Sequence, residues 1–174
     1  MALFWEQECP LCGIKITDTD RLFATSHFLD SDNDLWQFSD TAMHWDCYAK
    51  WEHRKRFSRM YFDTKREWSR QNPFWRVAYS DDQVLVTVNS DQFVDEVDMV
   101  LAETGSEFRI PLTDWEGWLS GKCFEDCHHE IERNALAVVI SLLRSRLPTA
   151  EAVIAATGME VDAEFEKKKD RDSN

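Results

Sequence analysis

The sequence predicts an α+β protein: a metal-stapled N-terminal module, then an antiparallel sheet covered by a long C-terminal helix. Three observations carry this expectation. Two Cys/His pairs, Cys9/Cys12 and His44/Cys47, each enclose two residues and stand thirty-one residues apart. Four segments of alternating apolar character follow between 74 and 112, joined by short polar turns. A stretch from Phe124 to Leu147 then spreads apolar residues over a broad helical arc.

The two pairs supply three thiols and one imidazole, a complete tetrahedral donor set for Zn2+. Four protein ligands leave no open position for water or substrate, so the expected role of the ion is structural. Cys-Pro-Leu-Cys-Gly reads as a tight turn, in which Pro10 pre-sets φ and Gly13 permits a positive φ. Amides in such a turn can point at the sulfurs and stabilise their charge. His44 and Cys47 open a helix-like stretch, Trp45 to Lys50, where residues three apart share a face.

Between the pairs, Arg21–Leu29 and Asp34–Ser39 read as strands flanking the polar turn Asp30-Ser31-Asp32-Asn33. A knuckle, a hairpin, and a helix carrying the last two ligands resemble a treble-clef zinc finger. The His-x2-Cys second pair is similar to the first finger of LIM domains. The resemblance covers Cys9 to about Trp51, and it implies a local fold rather than an activity, because treble clefs serve nucleases, nucleic-acid readers and plain scaffolds.

Trp45 to Arg70 reads as helix in one or two pieces, with an apolar stripe of Phe57, Met60, Tyr61, Thr64 and Trp68. Gln71-Asn72-Pro73 stops it, since proline cannot continue the ladder and restricts its predecessor. This places a boundary near residue 72: a zinc-binding module over 1–72, a sheet-plus-helix unit over 73–160, and a charged tail over 161–174 expected to be disordered. The expected strands are Phe74–Ser80, Val84–Asn89, Val94–Glu103 and Glu107–Leu112, an antiparallel meander with one buried face and Pro111 on an edge. Thr113-Asp114 would cap a short helix, Trp115–Leu119. The long helix would bury two rows, one of Cys127, Ile131, Ala135, Val138 and Leu142 and the other of Leu136, Val139, Ile140 and Leu143. Thr149 to Ala156 makes a last small helix, ended by Gly158.

With 174 residues, 43% hydrophobic and eight Trp, the chain can bury a substantial core. No run approaches about eighteen apolar residues and no signal pattern opens the chain, so a cytoplasmic protein without a membrane span is expected. Five cysteines, three in the metal set, suit a reducing compartment. The net charge of −13 is uneven. Asp18 to Asp40 holds six Asp against Arg21; Lys50 to Arg76 holds nine basic residues against Glu52, Asp63 and Glu67; Val77 to Ser120 holds ten acids against Arg109. The basic segment either docks on the protein's own acidic surface or engages phosphate.

From these features the leading expectation is a non-enzymatic interaction protein, adaptor or immunity-type. It would present Asp95, Glu96 and Asp98 on an acidic sheet surface to a basic protein partner. The alternative is a nucleic-acid-associated zinc-finger protein working through Arg54, Arg56 and Arg59 in the segment 50–76. A treble-clef nuclease using His27 and His53 ranks third. A second cluster, Cys123, Cys127, His128 and His129, would need a further ligand to hold a metal. The helical phase of Cys127 with Ile131 and Val138 instead marks a buried thiol.

Overall fold

The computed structural model describes residues 7–89 and 96–159. The expected start of the third sheet strand at Val94, the candidate Asp95 and the tail 161–174 lie outside the described residues. The expected α+β architecture is found, with a small N-terminal hairpin, a four-strand antiparallel sheet and C-terminal helices.

At the N-terminus the chain doubles back on itself. The Cys9 carbonyl accepts from the amides of Cys12 (3.3 Å) and Gly13 (2.8 Å), and the Cys9 amide donates to Ile14 (2.9 Å). Gly13 sits at φ 68°, where a side chain would strain the backbone. Strand β1 (Leu22–Ala24) pairs antiparallel with β2 (Ala42–His44), Leu22 lying opposite His44. The hairpin is thus shorter and later than expected. Asp34–Ser39 is not a strand: Asn33 Oδ1 accepts from the Leu35 amide at 2.9 Å, and Trp36–Phe38 coils into one 3-10 turn. Local Asn capping of the backbone wins over the short alternating pattern.

Helix α1 (Trp45–Lys50) follows β2 without a linker, and α2 (Arg54–Gln71) starts after a three-residue break. Asn72, in an extended conformation ahead of Pro73, ends α2 as expected. Its buried face differs from the expected stripe. Phe57 and Tyr61 are buried, but Thr64 and Trp68 face solvent, while Phe62 and Ser69 are buried in their place.

Strands β3 (Trp75–Ser80), β4 (Val84–Asn89), β5 (Glu96–Leu101) and β6 (Glu107–Pro111) form the meander in consecutive order, and Pro111 ends an edge strand. Both faces of this sheet are covered, not one. Val84, Val86, Val88, Val97, Met99 and Leu101 share a core with the C-terminal helices. On the other face, Leu85, Val100 and Ala102 pack against Phe62 of α2. The apolar residues out of phase with the valine row are the reason: a solvated face would not carry Leu85 and Val100.

Helix α3 (Trp115–Ser120), α4 (Glu130–Arg146) and α5 (Ala150–Thr157) complete the second half. The long helix starts six residues later than expected, because His129 caps it: its Nδ1 accepts from the Ile131 amide at 3.1 Å, and buried Glu132 accepts from the His128 amide at 2.6 Å. Of the two expected apolar rows, Leu136, Val139, Ile140 and Leu143 are buried, whereas Val138 is 62% exposed. The indole of buried Trp115 donates to the Leu147 carbonyl at 2.7 Å, tying α3 to the end of α4.

The tip of the β5–β6 hairpin joins the two halves. Tyr48 of α1 donates to the Thr104 carbonyl (2.8 Å), and Arg54 of α2 donates to the Glu103 carbonyl (2.8 Å). Gly105 turns at φ 71° against Phe23, where an added Cβ would stand 3.3 Å from the ring.

Candidate metal centre

The folded N-terminal half brings Cys9, Cys12, His44 and Cys47 together, with all four donor atoms within 4.8 Å of one another. Three local devices place them. The knuckle turn sets Cys9 and Cys12, the β1–β2 register delivers His44 to the end of β2, and the first turn of α1 presents Cys47 on the same side. His44 turns Nδ1 toward the sulfurs, 3.4 Å from Cys12 Sγ and 3.9 Å from Cys47 Sγ. These separations suit donors sharing one ion, since ligand bonds of about 2.0–2.3 Å in a tetrahedron hold donor atoms under about 4 Å apart. The donor set therefore fits zinc. Among the described residues it is the only group of three or more Cys, His, Asp or Glu side chains so gathered.

The electrostatics fit a cation as well. Burial works against ionising Cys9, yet amides of His44, Leu11 and Cys12 outweigh it and hold the thiol below its ordinary range. Burial, reinforced by the neighbouring sulfurs of Cys12 and Cys9, pushes Cys47 up to about 12. Three thiolates this close repel one another, and a divalent ion removes that repulsion and deprotonates a coordinating thiol.

One residue at this centre escaped the sequence reading. Asp20 Oδ2 lies 3.4 Å from His44 Nε2, on the side of the ring away from the sulfurs. The Thr17 amide (2.7 Å) and hydroxyl (2.8 Å) both donate to the same oxygen, and they hold the Asp20 carboxyl below the usual carboxylate range. The signal was present as Thr17-Asp18-Thr19-Asp20, a turn-forming run just before β1, but nothing in the spacing pointed it at His44.

The other candidates are distributed differently. Arg54, Arg56 and Arg59 each hold a carboxylate of this chain: Arg54 is buried against Glu103 (3.1 Å), Arg56 makes a two-pronged contact with Asp34 (2.8 Å to each oxygen), and Arg59 bonds Asp63 (3.0 Å). Lys65 pairs with Glu107 at 2.6 Å, and Arg66 with Asp63 at 2.9 Å. Arg54, Arg56, Arg59, Lys65 and Arg66 thus pair with the protein's own acids. Glu96 and Asp98 both lean on Arg109, at 3.5 and 3.2 Å, and Asp98 is half-buried. Desolvation raises the Asp98 carboxyl against the pull of Arg109. One guanidinium thus faces two carboxylates on this part of the sheet.

Cys123 is buried, and Cys127 lies in the loop before α4 rather than on a helix, its thiol directed at the Cys123 carbonyl (3.5 Å). His129 is committed to capping α4 and stacks on Trp45. His128 lends its backbone carbonyl to Arg21. His27 is exposed after β1, and His53 sits beside Glu52 at the start of α2. A cleft of about 650 Å³ opens between α2 and α4, lined by Arg54, Lys55, Arg59, Glu103, Ala135 and Val138 among others, and no cluster ligand reaches it.

No protein-family model, curated protein or solved structure matches this chain. The fold and the cluster define an α+β protein built around a Cys3His group able to hold a metal ion. Among the described residues, no helix is long and apolar enough to cross a membrane.

Proposed function

We propose that this chain is a zinc-stapled, non-enzymatic interaction protein whose N-terminal half is a treble-clef-type finger and whose partner is a basic protein. The observation that carries the reading is the closed donor set: four protein ligands fill a tetrahedral ion, so the ion holds the fold and presents no reactive position. The knuckle, hairpin and helix-borne last ligand support the treble-clef comparison.

Charge supports the partner class, though it moves the contact surface. Glu96 and Asp98 share Arg109, whereas exposed Asp30, Asp32 and Asp40 in the N-terminal half have no salt-bridge partner among the described residues. Exposed carboxylates without a cationic partner, on a chain of net charge −13, attract a cation-rich surface and speed its encounter. The reading as a nucleic-acid binder has less support, because phosphate would have to displace the carboxylates already held by Arg54, Arg56 and Arg59.

The test is capture of partners by the wild-type chain and by two charge reversals, Asp30→Lys with Asp32→Lys, and Glu96→Lys with Asp98→Lys. The finger reversal should abolish capture of a basic protein while the thermal midpoint is retained, and the sheet reversal should weaken it less. Capture untouched by both reversals contradicts the reading, as does salt-sensitive binding of duplex or single-stranded nucleic acid at physiological ionic strength.

A further inference from the structure

A histidine ligand has two nitrogens, and a metal centre that uses one must control the other. We infer that Asp20 is the positioning residue that does so for His44, an inference that rests on the reading of the Cys3His cluster as a zinc site. With Nδ1 turned to the sulfurs of Cys12 and Cys47, the ring proton belongs on Nε2, and Asp20 Oδ2 stands 3.4 Å from that nitrogen. The carboxylate is itself anchored. The Thr17 amide and hydroxyl donate to it, the Asp20 amide closes the turn onto the Thr17 carbonyl (3.3 Å), and the Thr17 and Thr19 hydroxyls touch at 3.1 Å.

The fold places this turn beside the ligand by register. Leu22 lies opposite His44, and the Trp45 amide donates to the Arg21 carbonyl at 2.9 Å, so the residue two before β1 falls against the imidazole. A carboxylate at Nε2 selects the tautomer that leaves Nδ1 free to bind metal, orients the ring, and makes it a stronger donor. Asp18, two residues earlier and exposed, makes no contact with His44 among the described residues and serves as a control of equal charge.

The experiment is zinc competition against a chromophoric chelator, on the full chain. It compares the wild type with Asp20→Ala, Asp20→Asn, Thr17→Ala and Asp18→Asn. Asp20→Ala should weaken zinc binding by about 10–100-fold, the range for removing a carboxylate partner of a ligating histidine. Asp20→Asn should lose a similar factor although its shape is kept, because a neutral amide oxygen is a much weaker acceptor for Nε2–H than a carboxylate. Thr17→Ala should weaken binding less, and it keeps the proposal testable if the Asp20 variants fold poorly. Asp18→Asn should match the wild type.

The second readout is the 15N spectrum of His44 in the zinc-loaded protein. It should show metal on Nδ1 and a protected Nε2 proton in the wild type, with protection lost in Asp20→Ala; a merely structural role would leave that proton unmoved. Wild-type zinc binding with Asp20 variants within about twofold, or a His44 bound through Nε2, overturns the Asp20 role alone. A wild-type chain that takes up no zinc overturns the zinc reading itself.

Discussion

Among the described residues, the N-terminal half buries twelve apolar residues around two strands of three residues each, whereas the C-terminal half buries twenty-five around four strands of five or six. The sheet half can specify itself by burial: its apolar rows alternate, its turns are short, and its helices lie on a continuous core. The N-terminal segment ahead of α2 has little regular structure to cooperate. Its aromatic group, with Phe23 and Tyr48 stacked at 3.7 Å and Phe57 packed beneath, needs the knuckle and α1 fixed relative to each other. The ligand cluster joins those two segments. A metal ion held there would fix the two segments relative to each other where the apolar core is small.

The largest expected effect breaks the finger alone. Cys12→Ala, or stripping metal with a chelator, removes metal-coupled folding on the order of 10–16 kcal/mol for a small zinc module. The finger should lose its near-ultraviolet signal and become protease-sensitive. The sheet half should keep its amide protection, apart from the 102–106 tip that docks on Tyr48 and Arg54. Loss of protection throughout both halves would show that the difference between them is not real.

An intermediate effect breaks the other half. Trp115→Ala removes a fully buried indole and its hydrogen bond to the Leu147 carbonyl, and should cost about 3–5 kcal/mol in denaturant unfolding. Metal stoichiometry should not change. A fall in bound metal would mean the sheet half is needed to form the finger.

The smallest effect sharpens the seam. Tyr48→Phe keeps the ring stack but leaves the Thr104 carbonyl without its buried donor, at a cost of about 1–3 kcal/mol. Hydrogen exchange should then quicken at both α1 and the 102–106 turn. Faster exchange confined to one side would place the coupling elsewhere.

How much of this was legible in the sequence follows the same division. In the sheet half, β4 was read at its observed bounds and the meander order followed from short turns, because Val84, Val86 and Val88 alternate against a single core. The covering of the second face by α2 was missed, although Leu85 and Val100 were its trace. In the N-terminal half, the Cys3His group was legible because metal-ligand chemistry constrains spacing. The segment between them was not: Asn33 diverts Asp34–Ser39 into a 3-10 turn, and Asp20 meets His44 only through strand register. The start of α4 was missed for a related reason, since histidine is an unusual N-cap and the capping is visible only once His129 Nδ1 faces the Ile131 amide. The charge map was read as blocks, but only the three-dimensional structure shows which members of two of them meet, in the pairing of α2 with Glu103, Glu107 and Asp82.

The central claim is that Cys9, Cys12, His44 and Cys47 hold one structural zinc. Native mass spectrometry of freshly purified protein, beside a denatured sample and Cys12→Ala, tests it directly. The account predicts a wild-type mass heavier by one zinc per chain, returning to the apo mass on denaturation with chelator, and a Cys12→Ala chain without the increment. A wild-type chain at the apo mass, or a Cys12→Ala chain that retains a full equivalent of zinc, would contradict it.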